Sequence, residues 1–183
     1  MAYKNKLLCN KITRQDIRFV QTAADTDGQL LEMESTYYAG SKEPTAHYHP
    51  YQVEDFEVLT GELTVKISDQ LKVLKKGDTL HIPTNTVHAM WNASNGKTVV
   101  NWQVRPAMDT EYLLETANGL AQAGKVTASG MPPLLQTALL ANRFASVFRI
   151  ARPPFVVQKI LFTLLTPFAY LAGYKPTYKE YLD

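Results

Sequence analysis

The sequence predicts a mainly β barrel or sandwich followed by an α-helical C-terminal extension. Three observations predict it. Short strand-like runs separated by turn residues succeed one another from Ile17 to Val104. After Arg105-Pro106 the pattern turns helical. Apolar residues make up 45% of the 183 positions, and a chain of that length buries roughly 70% of its unfolded surface, enough for a core without covalent staples.

In order, the strand candidates are Ile17–Thr22, Leu30–Tyr37, Thr45–Tyr48, Asp55–Leu59, Glu62–Ile67, Gln70–Leu74, Thr79–Ile82, Val87–Asn92 and Thr98–Val104. Turn residues punctuate them at Asp25-Thr-Asp-Gly28, Ala39-Gly-Ser41, Thr60-Gly61, Lys76-Gly-Asp78 and Asn95-Gly96. So many short strands at close spacing indicate closure or sheet-on-sheet pairing, which removes exposed edges. Asp109 then reads as the N-cap of a helix that Asn118-Gly119 stops. Pro132-Pro133 opens a second helix, Leu134 to about Phe148, because proline suits the first turn. Pro153-Pro154 opens a third, Phe155 to about Leu171, which Pro167 should bend or break. The predicted organisation is a β-barrel over residues 15–106 and a helical extension over 107–183.

Composition narrows the function classes. Charged residues are 20% of the chain, so it is neither disordered nor fibrous. A formal charge of +2 excludes a strongly basic nucleic-acid binder. The extension is mildly basic and the β region mildly acidic, at net +4 for residues 134–183 and −2 for residues 1–133. Cys9 is the single cysteine, so no internal disulfide forms and a reducing compartment is expected. No apolar leader core follows Met1. The expectation is a soluble cytoplasmic protein.

Three of the four histidines fall in an interpretable pattern. In a strand, alternate side chains share a face, so His47 and His49 point the same way and can grip one ion. Pro50 ends that strand. Glu54 opens the next one on the same face as Phe56 and Val58, where an unpaired carboxylate is costly and a cation resolves the conflict. His88 begins a strand after the turn at Pro83 and Asn85, and in a small barrel the two stretches can face each other across the interior. His81 lies between Leu80 and Ile82 and points to the opposite face, where a solvated or hydrogen-bonded role is expected.

These two stretches resemble the two motifs of the cupin superfamily. The first reads Gly40, His47, His49, Glu54, Gly61, with Gly40 one residue further upstream than the family pattern. The second reads Gly77, Pro83, Asn85, His88, Asn92, with every spacing kept and Asn85 in place of a glycine. Asparagine tolerates a left-handed backbone better than most residues. The resemblance implies a double-stranded β-helix, or jelly-roll, barrel. It also implies one divalent transition metal per chain (Fe, Mn, Ni, Zn, Cu or Co) on His47, His49, Glu54 and His88.

What the resemblance implies about reaction is wide. A metal-dependent enzyme acting on a small organic substrate comes first, with dioxygenase-like chemistry ahead of isomerase chemistry. A non-catalytic metal- or ligand-binding protein is the alternative. Glu54 would serve as ligand and proton acceptor together. By parity, Phe56, Val58, Met90 and Trp102 belong to the pocket, and Tyr51 to its mouth. The extension has large apolar faces. In its third helix Val156, Val157, Ile160, Leu161, Leu164, Leu165 and Phe168 are apolar, beside a thin polar stripe of Gln158, Lys159, Thr163 and Thr166. Its uncharged run is too short to span a membrane. Packing on the barrel or on a second copy in a homodimer is expected, and peripheral membrane contact is the weaker alternative.

Overall fold

Alternation of apolar and polar residues lays residues 7–105 into antiparallel strands. In the computed structural model, which describes residues 2–182, these are β1 (Leu7–Asn10), β2 (Gln15–Gln21), β3 (Leu31–Tyr37), β4 (His47–Tyr48), β5 (Val53–Thr60), β6 (Glu62–Ile67), β7 (Gln70–Lys75), β8 (Thr79–Ile82), β9 (His88–Trp91) and β10 (Thr98–Arg105). Three helices, α1 (Thr110–Gln122), α2 (Leu134–Arg143) and α3 (Phe155–Leu171), follow, with a two-residue strand β11 (Arg149–Ile150) before α3. One sheet has the order β1-β2-β3-β10-β5-β8 and the other β11-β4-β9-β6-β7. Facing each other, they make the jelly-roll barrel that the family resemblance implies, with a helical extension.

Strand period decides what faces inward. β3 buries Leu31, Met33, Ser35 and Tyr37 and turns Glu32, Glu34 and Thr36 away from the interior. β5 buries Glu54, Phe56 and Val58 on one face. Two apolar clusters result. Tyr37, Phe56, Val58, Leu63, Val65, Leu74, Ile82, Met90 and Val100 fill the space between the sheets. Leu8, Ile17, Phe19, Leu31, Met33, Val104 and Ala107 pack on the other side, against Leu114 of α1.

The motif residues other than the four candidate ligands are structural. Asn85 sits at φ 61°, the left-handed conformation a glycine would take, and its backbone N–H donates to His49 O at 2.9 Å. The substitution therefore keeps the turn and ties the two motifs together. Asn92 is fully buried, donates from Nδ2 to Tyr37 O and Gly96 O, and accepts from Ser94 N–H and Oγ–H. Gly61 turns between β5 and β6 at φ +78°, where a Cβ would lie 2.5 Å from Lys97 O. Gly61→Ala is expected to destabilise the protein by at least the roughly 1–3 kcal/mol of a strained left-handed residue, read as a lower urea midpoint at unchanged m-value.

Several helix boundaries differ from expectation. α1 runs through Asn118-Gly119 to Gln122, because Gly119 is a packing seat: the Tyr181 ring occupies the space a Cβ would need. Asp109 precedes α1 but makes no side-chain cap; its Oδ2 accepts instead from Arg143 Nη1 at 2.7 Å. α2 stops at Arg143, and residues 149–150 leave the helix to pair as a strand with β4. Pro167 lies inside α3 without breaking it. Pro167 and Thr163, whose carbonyl loses its partner, are both exposed, so water can satisfy that carbonyl. The polar stripe of α3 also faces differently. Gln158 is buried and donates to Ile150 O and Pro153 O, while Val156, Ile160, Leu164, Phe168 and Leu171 are exposed. No helix among the described residues is long and apolar enough to cross a membrane.

Candidate metal centre

Adjacent strands bring the histidines together. β4 and β9 pair with His47 opposite His88, and His49 follows β4 directly. The ring centroids lie 4.5 Å (His47–His88), 5.2 Å (His47–His49) and 5.4 Å (His49–His88) apart. One nitrogen from each of the three rings lies within 4.8 Å of the others, so these histidines could hold a metal ion. Glu54 reaches in from β5 in the facing sheet. Its Oε2 is 3.0 Å from His88 Nε2 and 3.3 Å from His49 Nε2.

Backbone carbonyls fix which nitrogen is available. His47 Nδ1 meets Thr45 O at 3.1 Å, His88 Nδ1 meets Thr86 O at 3.0 Å, and His49 Nδ1 meets Val147 O at 2.6 Å. A carbonyl only accepts, so each Nδ1 must carry the proton. In the neutral ring that leaves Nε2 as a lone pair, the form a metal requires. Glu54 is held likewise: Trp102 Nε1–H donates to its Oε1 at 2.9 Å. His49 Nε2 and Glu54 Oε2 are buried without a hydrogen-bond partner of good geometry. Lone pairs and a carboxylate converging in a buried space repel one another unless a cation or protons lie between them. The donor set, imidazole nitrogen with one carboxylate oxygen, suits a divalent first-row ion.

Proton affinities follow from the same crowding. Burial, reinforced by the His88 and His49 rings, pushes the His47 imidazolium down to about 3, so His47 is neutral at any working pH. Burial opposes ionisation of Glu54, but the imidazoles of His49, His88 and His47 outweigh it and hold the carboxyl at about 2. For His88 burial likewise opposes the charge, yet the Glu54 carboxylate wins and raises its pKa above the ordinary 6.5. A raised histidine pKa gives stability that is full below the unfolded value and lost as pH rises through the folded one. The metal-free protein thus keeps a His88⁺–Glu54⁻ pair at mildly acidic pH, and metal must displace that proton. The melting-temperature gain on adding Zn²⁺ is expected to be small near pH 5.5 and to grow toward pH 8; calorimetry across that range measures it.

A cavity of about 330 Å³ opens from this cluster. Of the pocket residues predicted from strand parity, Phe56, Met90 and Trp102 line it together with His47, His49, Glu54 and His88. Val58 does not; it is packed deeper in the core between the sheets. Tyr51 does not either; it is 60% exposed, with the Arg149 guanidinium 5.9 Å from its ring. His81 faces away and meets Asp55 Oδ1 at 2.7 Å, as its parity requires.

The residues that sequence reasoning missed come from the extension. Val147 supplies the carbonyl that orients His49, and the Phe148 ring stacks on His47 at 4.5 Å and 25°. β11 pairs Ile150 with His47 and Arg149 with Tyr48. A two-residue strand has no periodicity to read. The only signal was the aromatic and β-branched run Val147-Phe148-Arg149-Ile150 before Pro153-Pro154. Trp102 was expected as lining, and its role as the Glu54 donor adds to that.

Residues 33–104 match the family profile described as "Cupin domain". A stretch of 72 residues is 39% identical to a "Quercetin 2,3-dioxygenase" of Bacillus subtilis, covering 39% of this chain and 21% of that protein. Over 92% of this chain and 84% of the relative, the sequence is 28% identical to a "Probable oxidoreductase virH" of Hypocrea virens. Among solved structures, a "predicted oxalate decarboxylase" of Thermotoga maritima superposes with a TM-score of 0.48 at 16% identity, covering 50% of this chain and 80% of that one.

Proposed function

We propose, from the match of residues 33–104 to the cupin domain family, a metal-dependent enzyme that oxidises a small organic substrate by dioxygenase-like chemistry. In this reading His47, His49, Glu54 and His88 hold one divalent transition metal, residues 15–106 are the barrel, and residues 107–183 are an extension packed on it. The observation that supports it is the cluster of three imidazoles that could hold one ion, with the buried Glu54 Oε2 3.0 Å from His88 Nε2 and 3.3 Å from His49 Nε2. The names carried by two relatives, a quercetin dioxygenase and an oxidoreductase, favour oxidation over isomerisation.

A bound first-row ion would supply Lewis acidity and, if redox-active, access to dioxygen. The protein's own part is orientation and proton handling. Thr45, Val147 and Thr86 carbonyls keep the three imidazoles in one tautomer. Trp102 Nε1–H holds Glu54 by Oε1, which leaves Oε2 to accept a proton from a substrate hydroxyl. Among the residues lining the cavity Glu54 is the sole carboxylate, so no other acidic side chain competes for that role.

Elemental analysis of the purified protein, followed by dioxygen uptake with catechols, flavonols and 1,3-diketones, tests the proposal. Iron, manganese, nickel, cobalt or copper with substrate-dependent uptake is expected. Zinc with no uptake on any of the three classes would favour an isomerase or a non-catalytic ligand-binding cupin.

A further inference from the structure

We propose that the helical extension builds the substrate chamber and selects a ligand with an apolar body, an alkyl chain or fused rings, whose polar oxygens lie at the histidine end. This rests on the reading above of the histidine cluster as the reactive end. The cavity that begins at His47, His49, Glu54 and His88 is walled beyond the barrel by Leu113 of α1, Leu140 of α2, Phe144 and Phe148 after it, and Phe155 and Phe162 of α3. Its volume of about 330 Å³ falls within the range of small-molecule pockets, roughly 300–1,000 Å³.

The distribution of polar groups sets the ligand's shape. Histidine and carboxylate chemistry lies at the inner end, and the neutral polar side chains of the lining, Gln15, Thr110, Thr137, Asn142 and Gln158, are already hydrogen-bonded within the protein. A sugar or other polyol laid against Leu140, Phe144 and Phe162 would strand its hydroxyls without partners, which is unfavourable. The other charged lining residues are Arg149 and Lys159, and neither has a carboxylate partner among the described residues. An apolar body with a neutral or anionic substituent therefore fits, and a cationic one does not. The extension also holds the ligand histidines, through Val147 O on His49 and Phe148 on His47, so the chamber and the reactive end are built as one unit.

Straight-chain carboxylates from hexanoate to tetradecanoate, titrated calorimetrically into metal-free and Zn²⁺-loaded protein, test this. Affinity is expected to rise about fourfold per added methylene until the chamber is full, in both forms. Leu140→Trp, which fills the chamber, should halt the rise at a shorter chain, and Ala141→Phe does the same from the adjoining position should the first variant fold poorly. Leu164→Ser, on the outward face of α3 where Leu164 is 65% exposed, should leave the series unchanged. Affinity independent of chain length, or a series abolished by Leu164→Ser and untouched by both filling variants, overturns the chamber. Zn²⁺ uptake without chain-length dependence defeats this inference and leaves the metal reading standing; chain-length dependence without Zn²⁺ uptake does the reverse.

Discussion

His88→Ala protein takes up no stoichiometric metal at neutral pH, with affinity lowered by more than the ~10–100-fold that loss of an outer-shell partner costs. Three effects add. One of three imidazole donors is lost. The Glu54 carboxylate loses a partner 3.0 Å from its Oε2 and as deeply buried as itself. The ring's own space is vacated at a buried position. Breaking a buried pair by removing one member costs on the order of 3 kcal/mol, so the metal-free variant also melts lower than metal-free wild type. His81→Ala is the matched control. That histidine pairs with Asp55 on the outer surface, where an exposed pair is worth about 0–1 kcal/mol, and its loss leaves metal uptake unchanged. Zn²⁺ titration with thermal melting reads both. Normal uptake by His88→Ala would remove that residue from the site.

Glu54→Gln lowers dioxygen uptake by roughly 10²–10⁴-fold, the usual contribution of a positioned general base. The substitution keeps the shape and the carbonyl acceptor for Trp102 Nε1–H but removes the charge and the acceptor lone pair at the second atom. Metal affinity falls less than turnover, because three imidazoles remain. Trp102→Phe separates holding from reacting: the carboxylate survives while the bond at 2.9 Å is lost, so a smaller drop of about tenfold is expected. Turnover at the wild-type rate by a Glu54→Gln protein with normal metal content would take Glu54 out of the chemistry.

The β region was legible because its signals are local. Alternation of period two in Leu31–Tyr37 and Val53–Thr60, glycine at Gly61 and the His47/His49 parity each follow from backbone geometry within a few residues. Asn85 was legible for the same reason, since a left-handed turn is a one-residue property. What could not be read is what depends on partners far along the chain. Gly119 looked like a helix stop because glycine's commonest use near a helix end is the C-cap; only the distant Tyr181 ring makes it a packing seat. Tyr51 is expected at the mouth, but after the turn at Pro50 it stands exposed beside Arg149. The tie between Val147 and His49 spans 98 residues, and neither side chain announces it.

That tie changes how the extension is understood. An apolar helical tail reads from sequence as a cover for the outside of a barrel. Here its residues 147–151 join the sheet beside the ligand histidines, with Ala151 N–H donating to Ala46 O at 2.8 Å, and its helices wall the cavity. The fold thus sets the extension's helices and the histidine cluster around one cavity.

The most direct measurement is anomalous diffraction from crystals soaked in Mn²⁺ or Zn²⁺. The account predicts one strong peak per chain, at roughly 2.0–2.2 Å from the Nε2 atoms of His47, His49 and His88 and from one oxygen of Glu54. A peak elsewhere on the chain, or the four side chains free of any ion at saturating metal, would contradict it.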